Sequence, residues 1–202
     1  MKEHFCWPIP IFEDTIDRLT SFQREVIIDH IDYLCKVDVG VKKSNVGGWQ
    51  SSGYVDQQVP QFQPLLDLIG EKIKVLEDLY GSKLFLYNYW INVNQGNHYN
   101  VGHIHEGSCF SGVVYIDATP DQGSISFSYP IKDTLMYILG SIGMTRMSNT
   151  FNDIMIDPRT DKILIFPSFI THSVHPNNTD RPRISLAFNV INYPYPSIQS
   201  TP

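Results

Sequence analysis

The side chains of this sequence best placed to do chemistry are His103 and His105, separated by Ile104, with His172 far downstream and Arg183 beyond it. Imidazoles can hold a redox-active iron(II) on one side and leave positions open on the other for oxygen and a chelating cosubstrate. A guanidinium nearby can hold a carboxylate through two parallel hydrogen bonds, which anchors the far end of an anionic cosubstrate. Two histidines at i and i+2 project from one face only on an extended strand, because strand side chains repeat every two residues. The triplet therefore asks for a β scaffold.

The usual donor set for such a site is His-x-Asp/Glu on one strand plus a distant His, and here the carboxylate is missing. Three arrangements compete: His103, His105 and His172 all ligate; His103 and His172 ligate with Glu106 or water; or His105 orients another ligand. Strand parity favours the three histidines, since Glu106 points to the opposite face unless a bulge intervenes. A third neutral ligand leaves the metal one unit more positive than a carboxylate does, which favours anionic cosubstrates. The ordinary alternative is a structural histidine with no metal, and that reading is given to His98, in the loop Asn97-His98-Tyr99-Asn100, and to His175, just before Pro176.

In Arg183-Ile184-Ser185-Leu186-Ala187-Phe188-Asn189-Val190 the odd positions carry Arg, Ser, Ala and Asn and the even ones are large and apolar. One face packs a core; the other leaves room around a cation. Arg181 shares the parity but precedes Pro182 in a turn-like segment and is the reserve candidate. On 84–94, Asn88, Trp90, Asn92 and Asn94 fall on one face and Phe85, Tyr87, Tyr89, Ile91 and Val93 on the other. Buried amides in a row need partners, and Trp90, Asn92 and Asn94 are candidate contacts for a cosubstrate or substrate. Tyr115 can likewise donate its hydroxyl to a carboxylate, with an aromatic core residue as the alternative.

The elements that must position these groups follow from periodicity. Phe22, Val26, Ile27, Ile31 and Leu34 recur at helical spacing over 21–37, and Leu65, Leu66, Ile69, Ile73, Val75 and Leu79 do so over 62–80. After Gly81 the pattern changes to period two, with strands expected at 84–94, 110–116, 124–128, 163–166 and 183–192 between Gly, Pro, Asp and Asn turns. Helices first and antiparallel strands later give an α+β class, mainly β. The region 131–153 is apolar but irregular and is left undecided. At 202 residues, 42% hydrophobic, the chain fits one domain, with helical support about 13–80 and the strand-rich part about 84–193. A net charge of −6 without a basic stripe argues against nucleic acid, and no apolar run spans a bilayer. Cys6, Cys35 and Cys109 form neither a disulfide framework nor a zinc pattern, and the N-terminus lacks a secretory h-region, so a cytoplasmic location is expected.

With His-x-His, Phe166-Pro167-Ser168-Phe169-Ile170-Thr171-His172 and Arg183-Ile184-Ser185-Leu186-Ala187-Phe188-Asn189 in place, the chain resembles the 2-oxoglutarate- and iron(II)-dependent oxygenases of marine bacteria and their phages. Trp7-Pro8-Ile9-Pro10-Ile11-Phe12, Ser44-Asn45-Val46-Gly47-Gly48-Trp49-Gln50-Ser51, Trp90-Ile91-Asn92-Val93-Asn94 and Ser111-Gly112-Val113-Val114-Tyr115 extend the likeness to most of the chain. The resemblance implies a double-stranded β-helix, a jelly-roll or cupin-like barrel, with N-terminal helices packed outside it. It implies iron(II) and 2-oxoglutarate as cofactors, with the keto acid ion-paired to Arg183. It departs from the wider superfamily at His105, where Asp or Glu is usual. The expected activity is hydroxylation of an unidentified metabolite or protein side chain. A non-catalytic cupin-like metal- or ligand-binding module, phage-associated, is the alternative, and a zinc hydrolase is weaker because spacing places no general base.

Overall fold

The computed structural model describes residues 9–55, 59–129 and 153–192. The undecided region 131–153, save its last residue, lies outside them. Helix α1 (Ser21–Val37) starts from a reciprocal cap: the Thr20 hydroxyl accepts from the Gln23 amide at 3.2 Å, and the Gln23 side chain accepts from the Thr20 amide at 3.0 Å. Helix α2 (Gln63–Tyr80) follows a 3-10 turn at Pro60–Phe62, carries Pro64 in its first turn, and stops at Gly81.

Their buried stripes are narrower than periodicity alone indicates. Only Ile27 and Ile31 of α1 are sealed, while Phe22 is 73% exposed. On α2 the buried set is Leu65, Ile69, Ile73 and Leu76, and Val75 and Leu79 face outward. Two helices lying on one sheet each bury a single stripe, so apolar residues at its margin stay wet.

The strands are β1 (Phe12–Thr15), β2 (Asn45–Val46), β3 (Trp49–Gln50), β4 (Leu84–Asn94), β5 (Tyr99–His103), β6 (Phe110–Asp117), β7 (Ile125–Phe127), β8 (Ile154–Ile156), β9 (Lys162–Pro167), β10 (His172–Val174) and β11 (Arg183–Asn192). They form a six-stranded sheet ordered β1-β9-β6-β11-β4-β3 and a five-stranded sheet ordered β2-β5-β10-β7-β8. Every ladder between them is antiparallel.

The expected closed β-helix barrel is therefore corrected. Among the described residues both sheets are open: the larger ends at β1 and β3, the smaller at β2 and β8, and no ladder joins these edges. Closure depends on strand tilt and stagger across the whole sheet, which a period-two pattern does not encode. The α+β, mainly antiparallel class stands.

The larger sheet is apolar on both faces. Toward the helices it presents Ile91, Val93, Val114, Ile116, Ile163, Ile165, Ile184, Leu186, Phe188 and Val190. Its other face contributes Tyr115, Leu164 and Phe166 to a second core with Ile125, Phe127 and Ile170 of the smaller-sheet side. One departure from strict alternation occurs in β4. Its register against β11 shifts between Asn189 and Val190, so that Asn88 opposes Asn189 but Leu86 opposes Val190. Tyr87 is the extra residue, and the bulge reverses the faces below it: Leu84 is buried while Phe85 and Tyr87 are half exposed. The expectation that Phe85 and Tyr87 share the core face of Tyr89 is corrected for this reason.

Candidate metal centre

His103 and His172 meet because β5 and β10 are neighbours in the smaller sheet and the two residues are direct register partners. Their ring centroids lie 4.3 Å apart. His105 falls just past the end of β5 rather than on the strand. It is held there by its amide, which donates to the Ser168 carbonyl at 3.0 Å, and its ring sits 5.2 Å from His103 and 5.0 Å from His172. One nitrogen from each ring lies within 4.8 Å of the others, a grouping typical of a metal site. Glu106 is exposed and outside this group.

The ring orientations are fixed by what each Nδ1 faces. His103 Nδ1 lies 2.8 Å from the Val101 carbonyl, His172 Nδ1 lies 3.0 Å from the Ile170 carbonyl, and His105 Nδ1 lies 2.6 Å from Asn189 Oδ1. A nitrogen facing a carbonyl oxygen carries the hydrogen, so each Nε2 is left with its lone pair. Burial keeps all three rings neutral at pH 7. It lowers the pKa of His103 and of His105, and together with the charge His103 would carry it pushes His172 down to about 3. Neutral imidazoles are the form that binds a metal.

Around the rings, Phe166 stands edge-on to His172 at 4.7 Å and Trp90 is tilted against His105 at 5.4 Å. These walls continue into a narrow cleft between the sheets that is also lined by Asn92, Asn94, Tyr115, Ser185, Ala187 and Arg183. No Asp or Glu among the described residues lines it.

Arg183 is 1% exposed, opening β11 at the base of this cleft. Its Nη1 donates to the carbonyls of Gln122, of Gly123 at 2.9 Å and of His175 at 3.4 Å. Gly123 makes this cradle possible: its φ is +89°, and a Cβ there would lie 2.3 Å from the His175 carbonyl oxygen. The other terminal nitrogen, Nη2, is buried with no partner. A buried donor left unpaired costs free energy, and such groups in native structures mark a missing acceptor. Burial lowers the pKa of Arg183, yet a guanidinium stays protonated in proteins. Tyr115 lies close enough to feel that charge; burial nevertheless raises its hydroxyl to about 12, so it remains a donor.

Arg181 and His98 fall outside the cleft, while Asn94 lines it. Arg181 is 68% exposed at its side chain and pairs with Asp117 at 3.5 Å. His98 accepts from the Gln95 amide at 3.0 Å within its own loop. Asn94 is engaged by neighbours: its side chain donates to Asn100 at 3.5 Å and its carbonyl accepts from Asn177 at 2.9 Å. The sequence reading missed the carbonyl cradle of Arg183 and the contacts from Asn189 and Ser168 to His105. The only sequence signal for Asn189 was parity, since it belongs to the small-residue face of β11, and Ser168, between strands, had none. From His103 and His105 a wider hollow of about 830 Å³ opens outward past Trp90, Ile104 and Val101 to Lys42, Lys43 and Glu106.

Comparison with known proteins settles the class. The chain belongs to the family described as "Putative 2OG-Fe(II) oxygenase", which matches residues 88–189, half of its length. No curated protein sequence matches it. Among solved structures it is similar to a prolyl hydroxylase from Trichoplax adhaerens in complex with a hypoxia inducible factor oxygen degradation domain peptide fragment, at 14% identity and a TM-score of 0.64, with 90% of this chain and 83% of that one covered. It is also similar to a Pseudomonas putida prolyl-4-hydroxylase, at 12% identity, TM-score 0.59 and coverage of 90% and 92%. A third, HygX from Streptomyces hygroscopicus with nickel and 2-oxoglutarate bound, shares 15% identity at TM-score 0.58 with coverage of 90% and 82%. At these identities the likeness is one of fold.

The protein is thus a 2-oxoglutarate- and iron(II)-dependent oxygenase, and its residues fit both groups. Three neutral imidazole nitrogens suit iron. The orphaned Nη2 of Arg183 is a donor awaiting an acceptor such as a carboxylate oxygen. Among the described residues no helix is long and apolar enough to cross a membrane.

Proposed function

We propose that His103, His105 and His172 hold the iron, that Arg183 binds the distal carboxylate of 2-oxoglutarate with Tyr115 as a second donor, and that the enzyme hydroxylates a C–H bond. The observation that carries this reading is the partnerless Nη2 of Arg183, buried in the cleft the histidines line. When bound, the iron and the keto acid supply the oxidising chemistry: substrate, oxygen and 2-oxoglutarate become hydroxylated substrate, succinate and carbon dioxide.

The chain's own residues do the rest. The Gln122, Gly123 and His175 carbonyls fix one edge of the guanidinium so that the other edge is presented without reorganisation. Ser185 and Ala187 leave room beside it, as small residues on a strand face do. Phe166 and Trp90 keep water from the rings, which strengthens every charge interaction inside the cleft. The wider hollow gives the substrate its approach, with Trp90 as a contact at the border between cleft and hollow and Asn92 inside the cleft. A metabolite and a protein side chain are both substrates of suitable chemistry. The narrower likeness to oxygenases of marine bacteria and phages rests on the sequence blocks, and a cytoplasmic location rests on cysteine usage and the N-terminus.

A plain binding module has no use for a buried cation lacking an acceptor. A zinc hydrolase needs a base in the cleft, and among the described residues the only carboxylate lining either space, Glu106, is exposed in the hollow. The test is titration of 2-oxoglutarate into manganese-loaded protein and into Arg183→Met. Losing the charged partner weakens binding by about 30-fold or more on this reading. Equal affinity in the variant overturns the role of Arg183.

A further inference from the structure

A row of polar side chains crosses the larger sheet directly behind His105, and the mechanism above does not use it. Asn189 on β11 is the register partner of Asn88 on β4 and of Ser111 on β6. Its Nδ2 donates to Asn88 Oδ1 at 2.9 Å, and its Oδ1 accepts from Ser111 Oγ at 2.8 Å. Ser111 Oγ in turn lies 2.8 Å from Ser168 Oγ, and the carbonyl of Ser168 holds the amide of His105. The amide orientation of Asn189 is therefore fixed by both neighbours: the nitrogen is committed to Asn88, which leaves the oxygen for His105.

His105 needs this more than the other two rings do. His103 and His172 each give their Nδ1–H to a backbone carbonyl two residues earlier, an arrangement the strand itself supplies. His105 has passed the end of β5, and its Nδ1 partner is a side chain. The tautomer of the third histidine thus depends on one replaceable residue.

We infer that Asn189 is a positioning residue that makes His105 a metal ligand, by holding its hydrogen on Nδ1 and its Nε2 lone pair toward His103 and His172. This rests on the three-histidine reading of the centre and assigns what secures its third member. Outer hydrogen-bond partners of metal-bound histidines commonly govern affinity by about 10–100-fold.

Two measurements on the full chain test it. In metal-free protein labelled with nitrogen-15 at histidine, long-range proton–nitrogen spectra report the tautomer of each ring. The expected result is Nδ1–H at all three in the wild type and, in Asn189→Ala, a change to Nε2–H at His105 alone. Cobalt(II) titration should then show weakening by about 10–100-fold in Asn189→Ala, with recovery in Asn189→Asp, which keeps an acceptor oxygen at the same place. Asn88→Ala, which removes a neighbour of Asn189 but no contact of His105, serves as the structural control and should retain more of the affinity.

An Nε2–H tautomer at His105 in the wild type overturns the inference, as does unchanged cobalt affinity in Asn189→Ala. Should Asn189→Ala fail to fold, Asn189→Ser decides by the same spectra, because its shorter side chain does not reach the ring. Failure of the wild type to bind cobalt at all would instead sink the three-histidine centre, so the two failures are distinguishable.

Discussion

On one face of β11, Ile184, Leu186, Phe188 and Val190 are sealed beneath the two helices; on the other, Arg183, Ser185 and Ala187 line the cleft and Asn189 reaches His105. The first face is apolar and continuous with the main core. The second is small, polar and built around an unpaired cation. Setting both on one central strand means that the layer holding the fold together also sets the position of the chemistry, a rigid support that a loop would not give. Among the described residues neither helix joins the core on the smaller-sheet side, and that sheet contributes the short strands that bring His103 and His172 side by side. Substitutions on the two faces of β11 should accordingly fail in different ways.

The largest effect is expected on the sealed face. Phe188→Ala should lower stability by about 3–5 kcal/mol, seen as a drop in the urea midpoint, because a fully buried ring is replaced by a cavity. A loss below about 1 kcal/mol would show that this face is not the main core. On the cleft face the effect should appear in ligand response instead. Manganese-loaded wild type should gain about 2.7 kcal/mol of stability when 2-oxoglutarate is raised to a hundred times its Kd, and Arg183→Met should gain less than about 1 kcal/mol at the same concentration. An equal thermal shift in both would erase the distinction between the faces.

Gly112 sharpens the comparison because it sits opposite Phe188 on β6 and can admit no side chain. A Cβ there would lie 2.2 Å from the Phe188 ring and 2.8 Å from the Leu164 carbonyl oxygen. Gly112→Ala should cost about 1–3 kcal/mol through overpacking, measured by the same unfolding curves. A neutral result would mean that Phe188 has another rotamer available.

The remaining contrast is the pH dependence of the metal-free protein. His172 stays neutral in the fold down to about 3, whereas in the unfolded chain it takes up a proton near its ordinary value of 6.5. The unfolded state binds more protons across that window, so stability is present above 6.5 and declines as pH falls toward 3. Urea midpoints across the window should show a flatter slope in His172→Asn. An unchanged slope would mean that carboxylates alone cause the decline.

Much of this was legible in the chain. The alternation in β11 assigned its faces, because adjacent strand residues point oppositely and the even set is uniformly large and apolar. His103 and His105 were recognisable as a pair from their i, i+2 spacing, although His105 lies past the end of β5, and His172 was joined to them by the usual order of donors. What stayed hidden depends on pairing between distant segments. The bulge at Tyr87 exists only relative to the register of β11, the carbonyl cradle of Arg183 is assembled from two loops, and Asn189 gains its meaning from Asn88, Ser111 and His105 together. The openness of both sheets belongs to the same category, since an edge is defined by the strand that is not beside it.

The central claim is that the three histidines and Arg183 form one site for iron(II) and 2-oxoglutarate. Its most direct test is the visible spectrum of anaerobic, iron(II)-loaded protein on addition of 2-oxoglutarate. Bidentate chelation by the keto acid should give a weak metal-to-ligand charge-transfer band, lost in His172→Ala and shifted to much higher 2-oxoglutarate concentration in Arg183→Met. Iron-loaded wild type that shows no band at saturating 2-oxoglutarate would contradict the account.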